Sequence, residues 1–296
     1  MKIINLNKYI LPIVIIITFS CSKSKNPIKN DITFFDKKIV EAKILYSDGD
    51  YQNSLKTFEE ALSFGYKDKT VDYLYAAAAA LHLNKEDKAK KIILNSIIET
   101  NADKKYINSF KEFKKFEKHK IFKYINSKYD SLKSIYLNNR SISTKLIDSL
   151  IEIDQSSRRM NLGSTRGIDS LNIIELIKIT KSYGWNRKGW ILLWHQRDSY
   201  EKNNYIWSFF KSLINKEIEK GRERKSFWTL FEDENSILKN GTQIYGNYSS
   251  QYKQFPIQDV VNIDKLRDSV GLPPLWYLKK MYNHQLPEGY KASSLN

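Results

Sequence analysis

The chain has 296 residues, which is long enough for two domains that each have their own core. Only 11 glycines and 6 prolines interrupt it, and Lys, Ile, Leu, Asn and Ser dominate, so the composition predicts a mainly α-helical protein with short connections. The formal net charge is +16, but the lysines are spread along the chain and no recognition motif accompanies them, which argues against sequence-directed nucleic-acid binding.

The first 21 residues have the organisation of a secretory signal. Lys2 and Lys8 precede an apolar run over residues 9–19, and Ser20 and Cys21 follow it. A run of this length is shorter than the about twenty residues of a membrane-spanning helix. Cys21, the only cysteine, directly after a small residue resembles the lipobox of bacterial lipoproteins, and the alternative is a buried structural thiol. The resemblance implies lipidation of Cys21 and a location in the cell envelope, anchored to a bacterial membrane.

Residues 22–34 are expected to form the tether between this anchor and the first domain, because they are polar and basic and contain Pro27. Lipidation would use the only thiol, so the mature protein would lack disulfides and depend on packing. No cofactor and no metal are expected. The four histidines are dispersed without zinc-ligand spacing, and no glycine-rich phosphate loop occurs.

Residues 35–130 carry a repeated pattern of small and aromatic side chains. Ser54 and Ala89 occupy equivalent positions 35 residues apart. This segment resembles two tetratricopeptide repeats, with residues 76–80 in a tightly packed inner helix. One helical hairpin cannot bury its apolar face alone, so two repeats need a cap or a neighbouring domain. A protein partner of the envelope is expected to bind through these repeats.

Residues 108–130 are expected to supply the cap. Apolar side chains recur there at helical spacing between lysines, which predicts an aromatic face turned inward and a lysine face in solvent. The alternative is a basic amphipathic helix that faces lipid. The apolar side chains concerned are Phe110, Phe113, Ile121, Phe122 and Ile125.

Residues 131–296 are expected to form a second, mostly helical domain. It begins with a long helical segment over residues 131–160, in which Leu146, Leu150 and Ile153 share one apolar face. Further on, an Asn-Gly turn dipeptide precedes Gln243, which predicts a short extended segment there.

Candidate catalytic groups lie within this second domain. Asp154 and Arg158, four residues apart, form either a routine exposed ion pair or, if buried, part of a site. His195 is the candidate proton carrier near neutral pH, with Asp154 or Asp233 as its carboxylate. The alternative is that His195 is a core residue, because it follows the apolar sequence WILLW.

A series of short motifs extends over residues 146–282. They are Asp154-Gln155-x-x-Arg158, Asp169-x-x-Asn172, Gly184-Trp185, Gly189, His195, Asp233, Gln243-Ile244-Tyr245-Gly246 and Arg267-x-x-x-Gly271-Leu272. Their order resembles an uncharacterised bacterial domain family that occurs on secreted proteins and lipoproteins, sometimes after helical repeats. The resemblance implies a domain boundary and a list of site residues, but no activity. This sequence has Asn186, Glu234 and Asn247 where the family commonly has Pro, Arg and Thr or Ser.

The same motifs supply groups that could bind a ligand. Guanidinium groups could hold a carboxylate or a phosphate, and amide groups suit sugars or peptides. The expected ligand-binding residues are Gln155, Arg158, Asn172, Trp185, Gln243, Tyr245 and Arg267.

Three functions follow from these expectations. The first is a protein-binding scaffold of the cell envelope with a polar ligand pocket in its C-terminal domain. The second is a hydrolase that acts on an anionic envelope substrate with His195 and a carboxylate. The third is binding of a small ligand, which shares the pocket but not the geometry for proton transfer. An enzyme needs His195 within hydrogen-bond reach of its carboxylate.

Overall fold

The computed structural model describes residues 31–66, 69–160 and 165–292, so the predicted signal, Cys21 and most of the tether lie outside it. The described ranges are mainly α-helical and begin with helical hairpins, which confirms the predicted fold class. The extended segment expected at Gln243 is not confirmed, because only one isolated bridge, between Gln243 and Ile257, occurs there. Within these ranges no helix is both long and apolar enough to cross a membrane.

The first unit consists of two helical hairpins and a cap. Its elements are α1 (Ile32–Ser47), α2 (Tyr51–Ser63), α3 (Thr70–His82), α4 (Glu86–Thr100), α5 (Lys104–Ser109), a 3₁₀ segment (Lys111–Phe116) and α6 (Lys120–Asn139). Asp31 and Asp50 begin α1 and α2 as N-caps. Gly49 has a φ of +80° in the tight turn between them, a conformation that favours glycine.

The inner helix α3 is the centre of this unit. Ala76, Ala77, Ala78, Ala79 and Ala80 are all completely buried. Because alanine has the smallest side chain that keeps a high helix propensity, the neighbouring helices can pack close to the α3 backbone. The equivalent positions Ser54 and Ala89 are completely buried too, as the repeat pattern predicted.

The cap closes the open side of the hairpins. Its five predicted apolar side chains are all buried in the same core as α3, so the aromatic face points inward. The cap is not one helix: a 3₁₀ segment separates α5 from α6. Because these apolar side chains are buried, they are not available to face lipid, as the alternative interpretation requires.

The second unit follows α6. Its helices are α7 (Ile142–Arg159), α8 (Arg166–Tyr183), α9 (Trp190–Trp194), α10 (Tyr205–Glu219), α11 (Thr229–Asn240), α12 (Ile263–Ser269) and α13 (Leu275–Tyr282). Trp207, Phe210, Ile214 and Phe231 lie at the centre of its main core. Helix α13 returns to the first unit, where Tyr277 and Met281 join the core around α3.

Two expectations for residues 131–160 were wrong. The segment is two helices, because the chain is extended at Arg140 and the Ser141 side chain caps α7 by accepting from the Thr144 N–H at 3.1 Å. The buried face of α7 is also not the one expected. Leu146 and Ile153 are exposed, whereas Ile147 and Asp154 are buried. The physical reason is that Asp154 has charged partners inside the unit, which allow this polar face to be buried.

Polar contacts join the two units directly. The Arg224 guanidinium donates through Nε at 2.6 Å and Nη2 at 2.9 Å to the Asp36 carboxylate of α1. The Gly221 carbonyl accepts from the Ile32 N–H at 3.1 Å and from the Tyr66 hydroxyl at 3.2 Å. The start of α1 is therefore fixed to the segment between α10 and α11.

We expect Ala78→Leu to lower the free energy of unfolding by about 1 to 3 kcal/mol, because the added methyl groups meet neighbouring helices with no free space. Denaturant unfolding followed by circular dichroism measures this. Asn95→Leu, at an exposed position of α4, is the control and should change stability by less than about 0.5 kcal/mol. Equal effects of the two substitutions would contradict close packing at α3.

Candidate functional site

The predicted pair Asp154 and Arg158 forms a contact in which the carboxylate is buried and the arginine side chain is 31% exposed. The Asp154 carboxylate is 1% exposed and accepts from Arg158 Nη2 at 3.1 Å and Arg158 Nε at 3.3 Å. Gln155 Nε2 donates to the same carboxylate at 2.6 Å. Because α7 turns this face toward α8 and α9, these groups satisfy one another inside the unit.

Arg158 also joins α7 to the start of α8. Its Nη2 donates to Asp169 Oδ1 at 2.5 Å, and its Nη1 donates to the Thr165 hydroxyl at 3.2 Å. The hydrogen bond from Arg158 to Asp154 is the main cause that raises the pKa of Arg158, in spite of partial burial. A guanidinium placed between two carboxylates stays charged and has little capacity left for a ligand.

His195 lies against this cluster, at the end of α9. Its Nε2 is 3.2 Å from Asp154 Oδ2, and its side chain is 13% exposed. The ring nitrogen is not aligned for a hydrogen bond to the carboxylate or to any other group in the described part of the chain. Burial lowers the pKa of His195, and the opposing charges of Asp154 and Arg158 partly cancel in their effect on it. The imidazole is therefore neutral at pH 7.

Asp233 lies elsewhere, on α11. Its carboxylate is completely buried and accepts from the backbone N–H groups of Ile244 at 2.6 Å and Tyr245 at 2.7 Å. The N–H and side-chain amide of Asn247 each donate to it at 2.9 Å. The structure thus brings His195 together with Asp154 and Asp169, and uses Asp233 to hold the loop after α11.

Gln243 and Arg267 hold the same loop. The Gln243 amide donates to the carbonyls of Phe255 at 2.7 Å and Tyr248 at 3.3 Å, and its oxygen accepts from the Tyr248 N–H at 2.8 Å. Arg267 donates to the carbonyls of Tyr245 at 2.5 Å and Pro273 at 2.7 Å, and burial lowers its pKa. Both side chains are buried, and the N–H groups named here donate to backbone carbonyls, so they are not available to a ligand.

Tyr245, Trp185 and Asn172 complete the set of predicted ligand-binding residues. Burial and the nearby Glu232 raise the pKa of Tyr245 to about 12. The Trp185 indole donates to Glu223 at 2.9 Å, away from the Asp154 cluster. Asn172 is buried in α8, and its Nδ2 has no hydrogen-bond partner among the described residues. The seven predicted residues therefore do not form one pocket lining.

Two features of the structure were missed from the sequence. The first is a line from Arg197 through Glu234 to Tyr248, with the Tyr248 hydroxyl donating to Glu234 at 2.6 Å and Arg197 Nε 3.4 Å from Glu234. Only the Trp194-x-x-Arg197 spacing, which stacks the guanidinium over the indole at 4.9 Å, was visible in advance. The second feature is a cavity of about 570 Å³ in the first unit, beside His82.

No protein-family model, no curated protein and no solved structure matches this chain. The resemblance to an uncharacterised domain family therefore stays a prediction. In the part of the chain that the structure describes, no group of three or more His, Cys, Asp or Glu side chains could hold a metal ion.

We expect Asp154→Asn to lower the pKa of His195 further, because the Asp154 carboxylate is the largest influence that raises it. Asp233→Asn is the matched control and should leave that pKa unchanged. NMR titration of the histidine side chains in the full-length chain measures both. A shift in the Asp233 variant, with none in the Asp154 variant, would contradict the pairing seen here.

Because the pKa of His195 is lowered by folding, this residue makes the protein less stable at acidic pH. Below about pH 6.5 the unfolded chain takes up the His195 proton more readily than the folded chain, so the free energy of unfolding falls as the pH decreases. Above that pH the imidazole is neutral in both the folded and the unfolded chain, so His195 no longer makes the free energy of unfolding depend on pH.

We expect Asp233→Ala to lower the free energy of unfolding by about 3 kcal/mol or more, because it leaves three backbone N–H donors without their acceptor. Chemical denaturation measures the loss. Asp198→Ala, at an exposed position, is the control and should stay within about 0.5 kcal/mol of the wild type. A wild-type stability for Asp233→Ala would show that the loop does not depend on this carboxylate.

Proposed function

We propose that this chain is a scaffold protein of the bacterial cell envelope, tethered through a lipidated Cys21, that binds a helix of a partner protein along α7. The observation that carries the proposal is an apolar stripe on the surface of α7. Its members are Ile142, Leu146 and Ile153 on α7 and Met160 directly after it, which are 61%, 41%, 52% and 68% exposed. Exposed apolar side chains aligned on one face of a helix are typical of interaction sites.

The spacing of the stripe indicates the kind of partner. The three residues Leu146, Ile153 and Met160 recur every seven residues, and Ile142 precedes Leu146 by four. This is the spacing of one seam of a coiled coil, in which the facing element is another helix. A partner helix with its own apolar seam would remove all four side chains from water.

Ser149 and Ser156 occupy the intermediate positions of the seam. The Ser149 hydroxyl donates to the Lys145 carbonyl at 3.1 Å, and the Ser156 hydroxyl donates to Glu152 at 2.8 Å. Because both donors already have acceptors on α7, covering them leaves no hydroxyl proton without a partner. Their small size also allows close approach of a facing helix.

Charges along one edge of the stripe complete the description of the partner. Lys145, Glu152 and Arg159 follow the same seven-residue spacing. Glu152 and Arg159 pair with each other at 2.9 Å, so Lys145 is the charge on this edge that an acidic side chain of the partner helix would complement. This surface lies on α7, after the repeats through which the sequence predicted the partner to bind.

The internal arrangement of the second unit favours a scaffold over an enzyme. Asp154 is held by Arg158 and Gln155, and Asp233 is held by the loop after α11. Neither carboxylate forms an aligned hydrogen bond with His195 in the described chain. These groups support a role in stabilising the unit that presents α7.

The test places a photo-crosslinking amino acid at position 153 in native cells, with position 171 as the control. Leu171 is 66% exposed on α8 and lies outside the stripe. We expect one envelope protein to be crosslinked from position 153 and not from 171. Its affinity, measured with purified proteins, should fall at least about tenfold with Ile153→Asp, a loss of about 1.4 kcal/mol, and stay unchanged with Leu171→Asp. Equal crosslinking from both positions, or equal losses of affinity, would overturn the proposal.

A hydrolase is the second candidate, because His195 Nε2 lies 3.2 Å from the Asp154 carboxylate. Its test is turnover of chromogenic phosphate, ester and glycoside substrates by the wild-type chain and by His195→Asn. Turnover that disappears in the variant would support the enzyme. The scaffold proposal instead predicts no turnover that depends on His195.

A further inference from the structure

The cavity in the first unit has no part in the α7 surface or in the His195 cluster. Its volume is about 570 Å³, within the range of small-molecule sites. The walls come from the C-terminal end of α1, the start of α2, α3, the 3₁₀ segment and α13. Elements that lie more than 200 residues apart thus meet around it.

Positive charge exceeds negative charge on its walls. The lining includes Lys111, Lys114, Lys115 and Lys280, against Glu112 and Glu117. Two of these lysines are neutralised: Lys280 lies 2.5 Å from Asp48, and Lys111 lies 3.4 Å from Glu112. Lys114 and Lys115 form no ion pair with any carboxylate in the described part of the chain, and Glu117 has no cationic partner there either. The unpaired charges on the lining are therefore two ammonium groups and one carboxylate, with a net charge of +1.

A series of hydrogen bonds fixes the position of Lys115, one of the two lysines without an ion pair in the described chain. Lys115 Nζ lies 2.9 Å from His82 Nδ1, and an ammonium group can only donate, so Nδ1 is unprotonated. His82 Nε2–H then points to the Tyr46 hydroxyl at 3.5 Å, which donates to Glu112 at 3.2 Å. Burial and the adjacent Lys115 lower the pKa of His82, in agreement with a neutral imidazole. The Lys115 charge is therefore held at the cavity without being cancelled.

An aromatic surface accompanies these charges. The His82 ring stacks on Tyr51 with centroids 3.7 Å apart and an interplanar angle of 18°. Both rings line the cavity. A ligand that reaches Lys115 would therefore have aromatic surface beside it to contact.

We propose that this cavity binds a phosphomonoester, with its phosphate held by Lys114 and Lys115 and the rest of the molecule against Tyr51 and His82. The phosphate of a monoester carries close to two negative charges near neutral pH, which matches the two available ammonium groups. The cationic lining is lysine without arginine. Lysine binds phosphate as a point charge.

The same group is presented by a soluble phosphomonoester and by the head group of phosphatidic acid. Calorimetry of the full-length chain with phenyl phosphate tests the soluble source. Flotation with phosphatidylcholine vesicles that contain phosphatidic acid tests the lipid source. Benzoate and phosphatidylserine vesicles are the controls, since they keep the ring or the negative surface and lack the phosphomonoester.

We expect the double variant Lys114→Gln with Lys115→Gln to weaken binding of the phosphomonoester by about tenfold or more. The matched control is Lys118→Gln with Lys123→Gln, which removes the same charge from exposed positions outside the cavity lining. Its binding should stay within about twofold of the wild type, because only distant and screened charges are lost.

Binding from either source, lost in the first double variant and kept in the second, supports the proposal and identifies the source. Equal losses in both double variants would reveal attraction to net charge alone and would overturn it. Benzoate binding as tightly as phenyl phosphate, or no binding from either source, would overturn it as well. Circular dichroism of both variants checks that the helices are intact.

Discussion

Close helix packing around the alanines of α3 is the constraint on which the first unit depends. With side chains of one carbon at five consecutive positions, α1, α2 and α4 can pack around a helix that has almost no exposed surface. The apolar face of the cap and the side chains Tyr277 and Met281 of α13 then complete the same core. Helix α13 is therefore part of the core of the first unit, so the second unit connects to the first at both of its ends.

Buried charges in this protein are stabilised in three different ways. Asp154 and Arg158 are paired with each other, Asp233 accepts backbone N–H groups, and Arg267 donates to backbone carbonyls. A second ion pair joins the buried side chains of Lys43 and Asp72, which lie 2.6 Å apart between α1 and α3. Burial disfavours the Lys43 ammonium, but Asp72 and Tyr282 outweigh it and raise its pKa. Asp233, Arg267 and the Lys43–Asp72 pair each hold two segments of the chain together, whereas Asp154 and Arg158 both lie on α7 and Asp169 provides the link to α8. An unpaired buried charge would be strongly destabilising.

The proposed functions depend on which side chains already have partners within the protein and which are free to contact another molecule. Most of the polar residues that suggested a site from sequence are occupied by protein partners. The stripe on α7 is an exposed apolar surface, and the two lysines at the cavity of the first unit form no ion pair within the described ranges of the chain. The stripe supports binding of a partner helix and the cavity supports binding of a phosphomonoester, and the two lie on different elements, so neither depends on the other.

The sequence by itself determined the helical class, the two hairpins, the buried small residues at Ser54 and Ala89 and the inward face of the cap. These features depend on local periodicity, which a helix converts directly into one face. Only the tertiary structure decided that His195 lies beside Asp154 and away from Asp233, since both carboxylates are distant in sequence from it. It also decided that α7 buries Asp154 and exposes Ile153. Burying a carboxylate is costly unless a charged partner such as Arg158 lies beside it in the folded protein. The cavity was beyond the sequence for a related reason: its walls come from Tyr46, Lys115 and Lys280, and no local pattern brings residues so far apart together.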